Sequence, residues 1–264
     1  MDYCFYSEKL TEPIIFDTHA HFDDERFDND REELFNYLNS SQGVGGIINC
    51  GCDIPSSEKS ISFAKKFPFI YAAVGFHPEY AANNECDLAK LEELLKEEKT
   101  VAVGEIGLDY YWDKEHKEKQ KEIFAKQILL AKKYNKPVII HDREAHEDTL
   151  NILKEYKPNG VLHCFSGSKE MAMEVVKLGM YIGVGGVLTF KNNKKLPEVI
   201  KSIPLNRILL ETDAPYMAPE PFRGKTNHSG LIIYVAQKLA EILNITPEEV
   251  LATTYKNTQE LFKL

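Results

Sequence analysis

The chain has 264 residues, of which 43% are hydrophobic and 28% are charged, and this ordinary globular composition excludes a disordered chain. Its 32 basic and 41 acidic residues give a net charge of −9, which excludes a generally basic coat for nucleic acid but not a local anion site. The five cysteines are odd in number and form no C-x-x-C pair, which favours reduced thiols in a cytoplasmic protein. No run of 18 apolar residues predicts a membrane span, and the first residues lack the pattern of a signal peptide.

Eight short apolar runs recur along the chain, separated by longer amphipathic segments. They are rich in valine and isoleucine and nearly continuous, which is typical of parallel strands covered on both faces. We predict strands at Pro13–Asp17, Val44–Cys50, Phe69–Gly75, Val101–Ile106, Val138–His141, Val161–Cys164, Tyr181–Val184 and Arg207–Thr212. Cys50 and Cys52 are interpreted as small strand residues rather than as ligands of a soft metal.

The segments between the runs are predicted to be helices because their apolar residues recur at helical spacing. The charged stretch Asp113–Lys121 is interpreted as the solvated first turn of one of them. Thr246 precedes a proline and, three residues on, an acid, so a last helix is predicted to begin there and to run to about Phe262.

Eight alternations of strand and helix predict an α/β fold, a single-domain (β/α)8 TIM barrel that spans residues 1–264. A barrel of this kind takes about 250 residues, and no composition break marks a linker. The alternative is a doubly wound open sheet, which usually has a glycine-rich turn after its first strand, whereas here Asp17–His21 stands at that turn.

In such a barrel the functional side chains lie at the carboxyl ends of the strands, and metal-ligand residue types follow five of the predicted strands. His19 and His21 are two residues apart, so in extended chain both rings point to one face. Taken singly, each metal-ligand candidate at a strand end also has a structural interpretation: a histidine can be a hydrogen-bonded core residue, and a carboxylate can belong to a buried ion pair or cap a loop. Together they suffice for two metal ions that share a bridging carboxylate: His19, His21, Glu105, His141, His163 and Asp213.

Six motifs carry a resemblance that covers the chain from about Ile14 to Phe262. They are D-T-H-A-H from residue 17, G-F-H-P from 75, G-E-I-G-L-D-Y from 104, H-D-R-E-A from 141, H-C-F-S-G from 163 and E-T-D-A-P from 211. In this order and spacing they resemble the TatD-related deoxyribonucleases of the metal-dependent (amido)hydrolase superfamily.

The resemblance implies two divalent metal ions, Mg²⁺, Mn²⁺ or Zn²⁺, and no organic cofactor. Many amidohydrolase relatives bridge their ions with a carboxylated lysine, but this chain has no lysine between Thr100 and Tyr111, so Glu105 is the bridge that fits. The other implied ligands are His19, His21 and Asp213 for the first ion, and His141 and His163 for the second.

The resemblance also implies hydrolysis of DNA phosphodiester bonds, best as a 3′→5′ exonuclease that prefers single strands. Asp213 and Glu105 would be the catalytic residues, and Asp213 would orient or deprotonate the attacking water. The first alternative is an amide or ester hydrolase of the same superfamily, acting on a lactone or an aminoacyl-tRNA ester. The second is a metal-bound binding module without catalysis. Neither the oligomeric state nor the cellular pathway follows from the sequence.

Four further residues are candidates for holding substrate. His77 contacts a phosphate or makes a structural hydrogen bond, and both interpretations stay open. Arg143 follows a ligand candidate by two residues and is predicted to fork onto a phosphate. Arg223 and Lys225 form a cationic patch in the loop after the last strand, and their R-G-K triplet also resembles the family. The next residues, from Asn227, depart from the Asn-x-Pro that is common there.

Two interpretations also stay open for the residues that follow the fourth strand. Asp109 orients a metal ligand or caps a helix. Tyr110, Tyr111 and Trp112 stack on nucleobases or pack against the rim of the barrel.

Overall fold

The computed structural model describes residues 3–5, 7–80 and 86–264. Among these residues, eight parallel strands form one sheet whose spatial order follows their order along the chain. The strands are β1 (Leu10–Ala20), β2 (Gln42–Cys50), β3 (Ile70–Val74), β4 (Thr100–Asp109), β5 (Val138–Arg143), β6 (Gly160–Leu162), β7 (Tyr181–Val184) and β8 (Ile208–Leu210).

Helices alternate with these strands, which confirms the predicted (β/α)8 barrel. Among the described residues the α-helices are α1 (Arg31–Ser41), α2 (Ile54–Lys66), α3 (Leu88–Leu94), α4 (Lys117–Lys133), α5 (His146–Tyr156), α6 (Lys169–Lys177), α7 (Lys195–Ile200), α8 (Ile232–Leu243) and α9 (Pro247–Phe262). Short 3₁₀ turns lie at Glu25–Phe27, Pro78–Tyr80, Gly186–Thr189, Leu205–Arg207 and Ser229–Leu231. None of the described helices has the length and apolar character needed to cross a membrane.

The two helix starts predicted from local sequence differ in outcome. Thr246 caps α9 through a reciprocal pair of hydrogen bonds with Glu249, as predicted. The prediction for Asp113–Lys121 was wrong in its start, because α4 begins only at Lys117. Asp113 Oδ1 accepts hydrogen bonds from the backbone N–H groups of Glu115 and His116. These bonds form a turn before the helix, so the first helical residue is Lys117.

The sheet closes from β8 back to β1 at its carboxyl end. The backbone N–H of Asp213 donates to the carbonyl of His19 at 2.9 Å, and that of His21 donates to Ala214 at 2.7 Å. A parallel bridge also pairs Ala20 with Ala214. The closure therefore brings the end of β1 against the segment that follows β8. Predicted metal ligands lie in both places, at the end of β1 and just after β8.

Apolar side chains form two clusters on the two faces of the sheet. The larger cluster joins the strands to the helices around them. The smaller one takes residues from all eight strands, such as Phe16, Ile48, Ile139 and Leu209, together with residues of α9. A cluster shared by every strand fills the inside of a barrel, so the barrel is a packed core and not a pore.

Candidate metal centre

A cavity of about 1090 Å³ opens at the carboxyl ends of the strands. Its walls come from loops that follow most of the strands, and its lining includes five of the six predicted metal ligands: His21, Glu105, His141, His163 and Asp213. The sixth, His19, is fully buried behind them. The structure therefore brings together all six residues that the sequence singled out.

Glu105 lies at the middle of this cluster and is 3% exposed. Its Oε1 lies 2.8 Å from Nε2 of His163 and 2.9 Å from Nδ1 of His141. Its Oε2 lies 3.3 Å from Nε2 of His21 and 3.4 Å from Nε2 of His19. Each carboxylate oxygen thus faces its own pair of imidazoles, which is the geometry of a bridging ligand.

The charge of Glu105 is maintained by its neighbours. Burial opposes ionisation, but the surrounding rings, with His163 foremost, outweigh it and hold the pKa of Glu105 well below its usual range. Burial and the His163 ring also lower the pKa of His19, so the ring of His19 is neutral and its nitrogens can act as ligands.

The two histidines at the end of β1 converge as their spacing predicted. Their Nε2 atoms lie 3.0 Å apart, and each lies 3.6 Å from Oδ1 of Asp213. The Nδ1 of His21 is hydrogen-bonded to the carbonyl of Cys50 at 2.9 Å. That carbonyl can only accept, so Nδ1 carries a hydrogen, and Nε2, which faces the cluster, is the nitrogen that would lose its proton on binding a cation.

The position of Asp109 decides between its two interpretations, orienting a metal ligand or capping a helix. Its side chain orients His141. Oδ2 of Asp109 lies 2.9 Å from Nε2 of His141, so the opposite nitrogen, Nδ1, faces Glu105. Burial works against a charged ring, but Asp109 and Glu105 outweigh it and raise the pKa of His141 to about 9. A metal ligand must lose its proton, so His141 would exchange a proton for a cation.

Asp109 does not cap a helix, because the residue that precedes α4 is His116. Its backbone is instead held by Gln120, a buried residue of α4 that sequence analysis missed. Oε1 of Gln120 accepts the N–H of Asp109 at 2.8 Å, and its Nε2 donates to the Asp109 carbonyl at 3.1 Å. A glutamine on the apolar face of an otherwise amphipathic helix was the available signal.

The cluster contains overlapping groups of side chains that could hold a divalent ion. Ligand atoms within 4.8 Å of one another form the groups His19–His21–Glu105 and Glu105–His141–His163, and His19 and His163 form another with Asp213. The Nδ1 of His19 is buried and, in the described part of the chain, has no hydrogen-bond partner. A set of imidazole and carboxylate donors suits Zn²⁺, Mn²⁺ and related ions.

Two more buried carboxylates lie beside the cluster and were given no role by the sequence analysis. Glu211 is fully buried, its Oε1 lies 3.8 Å from Nδ1 of His163, and burial raises its pKa to about 8. Asp17 accepts hydrogen bonds from Thr212 Oγ1 at 2.6 Å and from Ser229 Oγ at 2.7 Å, and so ties β1 to the segments after β8. Their signal was a carboxylate within or directly after an apolar run.

The four predicted substrate contacts take different places. His77 lies inside the cluster, with Nε2 3.7 Å from Oε1 of Glu105, and burial and the His141 ring lower its pKa to about 3. Arg143 lines the cavity. Arg223 and Lys225 are exposed and are not among the residues that line it, and the guanidinium of Arg223 lies over the ring of Phe190.

The aromatic run after β4 divides into two parts. Tyr110 is buried, and its hydroxyl donates to Asp148 at 2.6 Å, so it packs against the barrel. Tyr111 and Trp112 are exposed by 46% and 72%.

Comparison with known proteins agrees with this geometry. The profile of the family described as TatD related DNase matches residues 16–263. The chain belongs to this family. The TatD-family chain is 46% identical to YabD of Bacillus subtilis (strain 168), named as an uncharacterized metal-dependent hydrolase, over 255 residues that cover 95% of this chain and all of YabD.

Two solved structures of TatD proteins share the barrel. The crystal structure of YjjV, a TatD homologue from Escherichia coli K12, aligns with a TM-score of 0.90 at 35% identity, covering 96% of this chain and 99% of that one. A TatD-family hydrolase from Entamoeba histolytica aligns with a TM-score of 0.84 at 25% identity, with the same coverage of both chains. The protein is therefore a metal-dependent hydrolase of the TatD family.

Proposed function

We propose that this TatD-family hydrolase cleaves DNA phosphodiester bonds with two divalent ions, Mg²⁺, Mn²⁺ or Zn²⁺, held by the six-residue cluster. The observation that carries the proposal is the position of Glu105, whose two oxygens face separate pairs of histidines. When bound, two such ions polarise a phosphate, lower the pKa of a water toward neutral and stabilise the leaving oxygen.

Asp213 is the residue that orients the attacking water and accepts its proton. Its Oδ1 lies 3.6 Å from the Nε2 atoms of both His19 and His21, so it belongs to the cluster, and its side chain remains 18% exposed to the cavity. A carboxylate that borders both the ligands and the open space is within reach of a water that approaches a bound phosphate.

The shape of the cavity favours a strand end over a continuous duplex. Below the cluster the barrel is filled by apolar side chains, so the cavity is closed at the metal centre and a strand cannot pass through it. A closed site suits an exonuclease that takes an unpaired end. The 3′→5′ direction rests on the family resemblance alone.

Basic side chains at the cavity support an anionic substrate in a chain whose net charge is −9. Arg143 and Lys195 both line the wall, and the ammonium of Lys195 donates to the carbonyl of Ser166 at 3.0 Å. Arg143 suits a phosphate oxygen because its guanidinium presents several donors in one plane.

The test is digestion of a 5′-labelled single-stranded oligodeoxynucleotide by protein treated with EDTA, with Mg²⁺, Mn²⁺ or Zn²⁺ added back separately. We expect a metal-restored ladder of products that shorten from the 3′ end. Asp213→Asn should lose turnover while remaining folded, and His116→Gln, which changes an exposed histidine outside the cluster, should keep it.

Two results would contradict the proposal. One is an absence of DNA cleavage with every ion by protein that still binds metal and hydrolyses a lactone or an aminoacyl-tRNA ester. The other is retention of DNA without turnover of any substrate, which would indicate a binding module. Wild-type cleavage by Asp213→Asn would remove that residue from the mechanism.

A further inference from the structure

An exposed aromatic surface lies at the mouth of the cavity and is not used by the hydrolysis described above. Trp112, the single tryptophan of the chain, is 72% exposed, and Tyr111 beside it is 46% exposed. Their rings meet edge to face, with centroids 4.8 Å apart and planes at 84°. Large aromatic side chains are usually mostly buried, so two exposed neighbours beside a cavity mark a candidate contact surface.

Arg143 completes this surface. Its guanidinium carbon lies 4.0 Å from the centroid of the Tyr111 ring and 5.5 Å from that of Trp112. We call Tyr111, Trp112 and Arg143 the rim platform. Trp112 and Arg143 line the same cavity as the metal ligands, so the platform and the metal centre face one shared space.

The rim platform is tied to the metal centre by one carboxylate. Oδ1 of Asp109 accepts the backbone N–H groups of Tyr111 and Trp112, both at 2.9 Å, and its Oδ2 lies 2.9 Å from Nε2 of His141. On the neighbouring strand Arg143 pairs in register with Asp109 and lies two residues after His141. The distance between the platform and the metal centre is therefore set by hydrogen bonds at the carboxyl ends of β4 and β5 and not by a free loop.

We propose that the rim platform stacks an unpaired nucleobase of the strand whose phosphate occupies the metal centre. This inference rests on the proposed function and adds to it the part of the substrate that is recognised. Aromatic rings and guanidinium planes stack on any base because every base has a π face. The positive charge of Arg143 suits the polyanionic strand that carries the base. Paired bases inside a duplex offer no free face, so the platform selects single-stranded ends.

Because Trp112 is the single tryptophan, its fluorescence reports directly on the platform. The probe is a short single-stranded oligonucleotide with phosphorothioate linkages, which resist hydrolysis, added to the metal-loaded protein. We expect saturable quenching of the tryptophan emission. An oligonucleotide of the same length and charge whose 3′-terminal residues lack bases should bind more weakly and should not quench, and neither should a closed circular duplex, which has no exposed base face.

A kinetic comparison separates stacking from a structural role. Trp112→Ala should raise KM for single-stranded DNA roughly tenfold or more, leaving kcat within about twofold, because one stacked base is lost. Trp112→Phe should restore most of the affinity. Leu129→Ala, which removes an exposed side chain from α4, should match the wild type. All variants should cleave an oligonucleotide whose 3′-terminal residues lack bases at the same rate as the wild type, because that substrate offers nothing to stack.

The outcomes of the two experiments distinguish the platform from the hydrolysis. If DNA is cleaved but the base-free oligonucleotide binds and quenches as well as the normal one, the platform binds phosphate and the stacking proposal fails. An unchanged KM in Trp112→Ala would overturn it equally. If quenching depends on the bases but no DNA is cleaved, stacking stands and the proposed nuclease function fails.

Discussion

Oε1 of Glu105 lies 2.8 Å from Nε2 of His163, at the end of the barrel where the strands leave the packed interior. The second oxygen of the same carboxylate faces the histidines at the end of β1. One side chain on β4 thus joins ligands from opposite parts of the barrel wall. The two halves of the metal centre are therefore expected to depend on each other.

Replacing Glu105 should remove this dependence. In Glu105→Gln the side chain keeps its shape but loses its charge and one acceptor oxygen, so it no longer bridges two cations. We expect at least one metal ion fewer per chain and hydrolysis lower by roughly 100-fold or more, since loss of a supporting partner alone costs about 10–100-fold. Metal content by mass spectrometry after gel filtration, with steady-state rates, checks this.

The matched control is Glu79→Gln, because Glu79 lines the cavity but belongs to none of the described ligand groups. That variant should retain the wild-type metal content. A full complement of metal in Glu105→Gln would show that the carboxylate does not bridge.

Asp109 should affect metal affinity through His141. In Asp109→Asn the amide NH₂ can face Nε2 of His141, which places the hydrogen of the ring on Nδ1, the atom that now faces Glu105. The wrong tautomer cannot bind a metal at Nδ1, so we expect a 10–100-fold loss of metal affinity, measured by competition with a chelator.

A second aspartate–histidine pair provides the control for this experiment. Oδ2 of Asp113 lies 3.0 Å from Nδ1 of His116, which is half exposed and outside the metal centre. Asp113→Asn should therefore leave metal affinity unchanged. Equal affinities for the wild type and Asp109→Asn would mean that Asp109 does not set the tautomer of His141.

The number and order of the strands were predictable because parallel strands buried on both faces are nearly continuous apolar runs. The residues at which the strands begin and end were less predictable. β1 begins at Leu10 and not at Pro13, and β6 ends at Leu162, before the predicted Cys164. A strand ends where its backbone hydrogen bonds to adjacent strands end. Those strands are distant in sequence, so the apolar run itself does not show where that point is.

The metal ligands were predictable for a related reason, since each is a polar residue at the end of an apolar run. The residues that support them were not. Gln120 acts on the backbone of Asp109 from a helix, and Glu211 reaches His163 from another strand end. The places of Arg223 and Lys225 depend on how a long loop packs, and neither lines the cavity.

Gly107 in β4 is expected to be essential for stability because of its surroundings. Its φ is +146°, and a Cβ at this position would lie 2.0 Å from the carbonyl oxygen of His141. Gly224 also has a positive φ, +87°, but a Cβ there meets no atom within 4 Å. Gly224→Ala should cost about 1–2 kcal/mol of backbone strain, whereas Gly107→Ala should cost about 1–3 kcal/mol more because the backbone must move.

Urea unfolding of both glycine variants measures this difference directly. A displaced His141 carbonyl should also weaken metal binding in Gly107→Ala and not in Gly224→Ala. Equal unfolding free energies for the two variants would show that the barrel absorbs the extra methyl group without strain.

His228 should make the folded protein sensitive to mild acid. Its ring is fully buried beside Tyr3 and Phe5, Nε2 is hydrogen-bonded to the carbonyl of Cys4 at 2.8 Å, and Nδ1 has no partner among the described residues. The carbonyl can only accept, so Nε2 carries the hydrogen, and further protonation would place an unpaired charge in the interior. Burial accordingly lowers the pKa of His228 to about 4.

The direction of the pH effect follows from this pKa. In the unfolded chain a histidine titrates near pH 6.5, so between about pH 6.5 and 4 the unfolded state binds a proton that the folded state does not. The contribution of His228 to the free energy of unfolding is complete above pH 6.5 and is lost as the pH falls through this window, by up to about 3 kcal/mol. In His228→Gln, whose amide can still donate to Cys4, the free energy of unfolding should fall less steeply. Urea titrations at half-unit intervals from pH 4 to 7.5 measure both slopes, and parallel curves for the two proteins would contradict the assignment.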